Sequence, residues 1–167
     1  IGGHAPFTIP DEGLAMMSEA MKETGRGMHL HVAEDKYDVV WSHHMYNEDI
    51  IDRLDRFGLL TDKTLLVHGL HLSEKEIRTI NERDCFFAHN GRSNMNNHVG
   101  YCKNLPIIKN LVIGTDGCGG NMFEELKISF FKHKDEGLPF WPAEFVNALN
   151  RGNRLIEKSF NDGRKWG

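Results

Sequence analysis

Four residues of this chain have side chains suited to combined metal and proton chemistry: His31, Glu34, His68 and Asp116. Imidazole nitrogens and carboxylate oxygens are the usual ligands of zinc and related divalent ions. Each of the four closes or follows a short apolar run. Residues 28–33 (MHLHVA) lead into Glu34, residues 64–67 (TLLV) into His68, and residues 111–113 (LVI) into Gly114-Thr115-Asp116. A further run, residues 85–88 (CFFA), leads into His89-Asn90. One buried histidine is more often a satisfied core residue than a ligand. Four apolar runs in succession, three ending on His and one on Asp, are hard to explain by packing alone. Beside a bound metal, Glu34 can relay protons from water to a leaving nitrogen. Its plainer role is a carboxylate at a helix start, where negative charge is favoured. Asp116 can bind metal and accept the proton of an attacking water, and Gly114 and Gly117 suit a tight turn near a ligand. Its plainer role is a cap for a helix near Asn121.

Other polar residues stand close to this set. His29 lies two residues before His31, so on a strand both face one side; it is either a core histidine or an outer support for a ligand. His4 and the run His89-Asn90-Gly91-Arg92-Ser93-Asn94 can orient a substrate, although Asn and Ser also satisfy loop backbone. His43 and His44 are neighbours in a helical stretch, where adjacent side chains point apart, and are expected to be structural. Asp35 reads as a helix-start residue. His71, His98 and His133 read as surface or loop histidines, and Phe130-Phe131 as core. Gly117-Cys118-Gly119-Gly120 lacks the Lys-Ser/Thr ending of a phosphate loop. There is no Gly-x-Ser-x-Gly elbow.

The apolar runs read as buried strands, and amphipathic stretches between them as helices. Helical patterns cover residues 10–24, stopping at Gly25, then 38–57, a segment opened by the capping box Ser73-Glu74-Lys75-Glu76, then 121–136 and 142–160. Residues 90–106 are polar and Asn-rich and read as a long functional loop. Strand and helix in alternation predict an α/β fold with parallel strands, either an open sheet or a closed barrel. Chemistry-bearing residues at successive strand ends favour the barrel, whose catalytic groups converge on one mouth.

The chain has 167 residues, enough for one domain with a real core, with 40% hydrophobic and 26% charged residues and a net charge of −4. No basic stripe suggests nucleic acid, and a small-molecule substrate fits better. Cys85, Cys102 and Cys118 form no close pair, which argues against a disulfide framework and for a reducing, cytoplasmic setting. No signal peptide and no apolar run of about 18 residues is present, so no membrane partner is expected.

These motifs together resemble the cytosine deaminase and chlorohydrolase branch of the amidohydrolase superfamily. The matching stretches are HAPFT (4–8), HVAE (31–34), HGLHL (68–72), HNGRSNMNN (89–97) and GTDG (114–117). RSNMNNHVGY (92–101), Ser42-His43-His44 and MFEELKISFFKH (122–133) bring the closer resemblance to SsnA-type aminohydrolases. The resemblance implies a metal-dependent hydrolase built on a (β/α)8 TIM barrel, with residues 1–167 as a partial barrel covering about strands 4/5 to 8. It implies one divalent metal ion, zinc or iron, held by His31 and Asp116. It makes Glu34 the proton shuttle, His68 the residue that orients water and substrate, and Asp116 the acceptor of the water proton. It places His4 at a position that commonly faces substrate, while His89, Asn90, Arg92 and Asn94 are expected to bind substrate from their residue types alone. Position 91 is Gly where many relatives have Pro, a change expected to be tolerated. Two departures matter. No His-x-His of a first strand is present, and the early strands and the accompanying β-sandwich are missing. The expected reaction is hydrolytic deamination of a small aminated heterocycle by the parent enzyme. Dechlorination, amide hydrolysis and a non-catalytic fragment are the alternatives. The 167 residues alone are expected to bind metal weakly, to be inactive, and to associate with another copy or with a missing chain segment.

Overall fold

The computed structural model describes residues 1–139 and 141–160. Each apolar run forms a short strand: β1 (His29–Val32), β2 (Leu65–His68), β3 (Phe86–His89) and β4 (Leu111–Ile113). All pair in parallel, in the order β1-β2-β3-β4. Spatial order follows chain order without reversal. An open doubly wound sheet reverses at a switch point, whereas a barrel sets each new strand beside the last. The winding therefore selects the barrel, of which these strands form one arc. Residues 1–4 extend the arc. The His29 amide donates to the Ile1 carbonyl at 2.8 Å, the Gly3 amide to His29 at 3.1 Å, and the His31 amide to His4 at 3.0 Å.

The helices follow from capping and periodicity. α1 (Asp11–Thr24) ends at Gly25, whose φ of 64° lets its amide return to the Met21 carbonyl. α2 (Lys36–Tyr46) opens on a capping box between Asp35 and Asp38. The stretch expected as one helix over 38–57 divides, because Asn47 turns left-handed at φ 54° and α3 (Ile50–Arg56) starts afresh. α4 (Glu74–Glu82) has the expected Ser73–Glu76 box and buries Ile77 and Ile80. Residues 90–106 are not one loop. They contain α5 (Gly91–Asn96) and a 3-10 turn at Leu105–Ile107. Apolar periodicity is absent from α5 because its buried side chains are Ser93 and Asn94. α6 (Met122–Asp135) and α7 (Pro142–Phe160) complete the described chain.

Strand alternation sorts the sheet's two faces. Leu30, Val32, Leu66, Phe87 and Leu111 join Leu14, Ile50, Leu54, Ile77 and Ile80 in the main core. Fully burying one such side chain stabilises by roughly 1.5–3 kcal/mol, so this face anchors the fold. The other face carries Val67, Phe86, Ala88 and Val112 against Leu155 of α7. Two expectations about side chains fail. Phe131 is exposed, since only Phe130 turns to Phe145. His133 is fully buried and its Nδ1 shares a 2.8 Å hydrogen bond with the Tyr101 hydroxyl.

Three strands leave the sheet through left-handed non-glycine residues: Ala33 (φ 45°), His68 (φ 72°) and, just after β4, Asp116 (φ 51°). The 3-10 turn Pro6–Thr8, which follows His4, is held from below by buried Arg53. Its guanidinium donates to the Pro6 and Ile9 carbonyls at 2.9 and 2.8 Å and lies 3.5 Å from the Tyr46 ring centre.

Candidate metal centre

The strand ends converge as the sequence predicts. Ligand atoms of His31, Glu34 and His68 all lie within 4.8 Å of one another. The His31 and His68 rings meet edge-on at 5.0 Å between centres. His68 Nε2 points at Glu34 Oε2, 3.6 Å away, and at Asp116 Oδ2, 3.9 Å away. His68 is fully buried, yet this nitrogen has no hydrogen-bond partner among the described residues. A buried imidazole nitrogen aimed at two carboxylates and a second imidazole is what a divalent cation would satisfy, so the donor set fits such an ion.

Each side chain is positioned by a local device. Glu34 follows the left-handed Ala33, and its amide donates to the buried Asp38 carboxylate at 2.9 Å. Burial pushes the Asp38 carboxyl above its ordinary range. His68 Nδ1 donates to Asn94 Oδ1 at 2.8 Å, which leaves Nε2 with its lone pair toward the cluster. The Ser93 hydroxyl donates to Asp116 Oδ2 at 2.5 Å. That bond holds the Asp116 carboxyl below its usual range, with help from the nearby imidazoles. Burial and the neighbouring His68 lower the pKa of His31, against the pull of Glu34 and Asp116. A neutral imidazole is the form that ligates.

The remaining sequence-predicted residues divide. His4 lies 5.7 Å from His31, ring centre to ring centre. Asn90 and Asp116 line a cavity of about 530 Å³ that also takes in His31 and His29. Four do not line it, His4 among them. His89 is completely buried against Tyr101, and its pKa falls to about 3 through burial. Asn94 is fully buried and reaches the cluster through His68. The Arg92 guanidinium is taken up by Glu125 at 2.5 Å, Glu124 at 3.1 Å and the Gly119 carbonyl, tying α5 to α6. Gly91 belongs to the same seam, since a Cβ there would collide with the Ser129 hydroxyl. His43 pairs with Asp49 at 3.1 Å, away from the cluster. Sequence reasoning missed Asp38; its signal was a second acid three residues after the capping Asp35.

Known proteins resemble the chain along most of its length. The model of the amidohydrolase family matches residues 1–153. The chain is 33% identical over 140 residues to a 5-methylthioadenosine/S-adenosylhomocysteine deaminase of Thermococcus sibiricus, covering 80% of the chain and 33% of that protein. It is also 33% identical over 140 residues to a 5'-deoxyadenosine deaminase of Methanosarcina mazei, covering 80% of the chain and 32% of that protein. A crystal structure of an adenosine deaminase from Xanthomonas campestris with bound zinc superposes with a TM-score of 0.78 at 28% identity, covering 97% of the chain and 38% of that protein. The chain thus spans about a third of the length of the relatives it matches.

Proposed function

This chain belongs to the amidohydrolase family, and on that premise we propose that the intact protein hydrolytically deaminates a small aminated heterocycle at the His31, Glu34, His68 and Asp116 cluster. The observation that supports this reading is the buried His68 Nε2, without a hydrogen-bond partner among the described residues and facing both carboxylates. The relatives named as deaminases support the choice of reaction. A divalent ion, zinc or iron, when bound would supply the Lewis acidity that brings the ionisation of water toward neutral pH.

His31 and Asp116 are assigned to hold the ion. Asp116, held ionised, takes the proton of the attacking water, and that proton passes through Glu34 to the ring nitrogen. The hydroxyl proton of the resulting adduct then passes by the same carboxylates to the leaving amine, which departs as ammonia and restores both groups. Glu34 has access to both nitrogens from its exposed side of the cluster, while Asp38 fixes the backbone beneath it. His68 orients the reacting centre from a ring held by Asn94. His4 and Asn90 border the substrate. The reading includes residues 1–167 as the C-terminal arc of the barrel domain, a cytoplasmic setting, kinship with the SsnA-type branch, and association with another copy or with further chain that closes the barrel.

The test uses the intact protein, assayed for ammonia release on aminated heterocycles and for metal content. Glu34→Gln is expected to lower kcat by about 10²–10⁴ with metal retained. His31→Ala is expected to lose the metal. Equal loss of metal in both variants would refute the division of roles.

A further inference from the structure

The geometry points to a second part of the substrate site: an aromatic shelf of Phe7, Tyr37 and Trp41 beside the metal cluster, which we propose receives an aryl or similarly flat apolar substituent on the heterocycle. The inference rests on the deaminase reading and specifies its substrate class. Rings follow one another outward from the cluster. His31 lies 5.7 Å from His4, and His4 meets Phe7 edge-on at 5.9 Å. Phe7 meets Tyr37 edge-on at 6.2 Å, and Tyr37 stacks on Trp41 at 5.7 Å and 29°. The rings come from two strand-end segments, one after His4 and one after Glu34, so the shelf lies on the same rim as the chemistry.

The helix that carries the shelf packs on the core through Val39 but otherwise turns polar side chains inward. α2 buries Asp38 and Ser42 and leaves Tyr37 at 53%, Val40 at 63% and Met45 at 51% exposure. An amphipathic helix ordinarily does the opposite. Asp38 and Ser42 have internal duties, holding the Glu34 amide and the Glu48 carbonyl. Tyr37 is exposed while Phe7 and Trp41 are half-buried, and apolar surface next to a reactive centre is where a ligand binds. The flanking charges, Asp35 and Lys36, are of opposite sign, so the surface does not call for a charged group. A substituent reaching past His4 meets the Phe7 edge and then the Tyr37 and Trp41 faces, a geometry that favours aromatic partners.

The experiment compares adenosine with 5′-S-phenyl-5′-thioadenosine, which share the aminated ring, on the zinc-loaded intact protein. Ammonia release gives KM and kcat, and calorimetry gives binding. The phenyl compound is expected to bind about ten-fold tighter and to show a lower KM, a preference on the scale of one aromatic contact with its buried area. Tyr37→Ala and Trp41→Ala should remove most of that preference, whereas Met45→Ala, farther along α2, should keep it. Equal affinity for the two compounds, binding of neither, or a preference that survives in both aromatic variants overturns the proposal. Phenyl-selective binding without ammonia release overturns the deamination reading and leaves the shelf standing. Self-association that disappears in Trp41→Ala while the preference is unchanged assigns the stripe to a second copy and overturns it.

Discussion

Replacing Asn94 by leucine tests whether the orientation of His68 is built into the fold. Asn94 lies 26 residues from its partner in sequence, is fully buried, and accepts the His68 Nδ1 proton at 2.8 Å. Asn94→Leu preserves approximate volume but removes the acceptor. A buried donor left without a partner costs about 1–3 kcal/mol. If the ring turns to recover that loss, Nε2 leaves the cluster, and about 1.4 kcal/mol corresponds to each ten-fold in rate. The expected loss in kcat/KM is therefore about 10–100-fold, the scale seen when the outer partner of a site histidine is removed. Asn94→Asp keeps an acceptor for the Nδ1 proton, so that variant should retain more activity than Asn94→Leu. The measurements are kcat/KM across pH 5–9, metal content, and thermal unfolding to show that both variants fold. An Asn94→Leu protein within two-fold of the parent, with an unchanged pH profile, would refute the claim that Asn94 sets the working tautomer.

Two further outcomes follow from buried charge and near-charge. His89 is completely buried and has a folded-state pKa of about 3 against an ordinary value near 6.5. Its neutral form therefore contributes stability that is fully present above about pH 6.5 and is lost as pH falls toward 3, at up to about 1.4 kcal/mol per pH unit. Urea unfolding between pH 7.5 and 5 should show that slope in the parent and a shallower one in His89→Leu; identical slopes would refute it. Arg92→Met leaves the Glu125 carboxylate, which is fully buried, without its guanidinium, and should cost about 3 kcal/mol. Adding Glu125→Gln should recover part of that loss in denaturant midpoint, and no recovery would argue against the pair as the seam between α5 and α6.

Much of the fold was legible because each strand is an apolar run and each major helix is periodic or capped. The strands lie within about a residue of where the runs place them, and Ser73 and Gly25 cap α4 and α1 as their residue types suggest. What could not be read was decided by contacts between distant segments. The break between α2 and α3 turns on the conformation of Asn47, which many helices tolerate as a polar surface residue. α5 stayed hidden because it packs through polar atoms, Ser93 onto Asp116 and Asn94 onto His68. The same long-range pairing assigns Ser93 and Asn94 to holding the site from behind. His133 looked like a surface histidine in a lysine-rich helix end, and only its contact with Tyr101, 32 residues earlier, places it inside.

The left-handed turns at Ala33, His68 and Asp116 have a bearing on how sequences of this shape diverge. Each holds a side chain-bearing residue where glycine or asparagine would sit more easily, at a cost of order 1–3 kcal/mol apiece. Glycine at 116 would ease its turn but remove a carboxylate from the cluster. At that position the demands of folding and of the proposed chemistry pull in opposite directions.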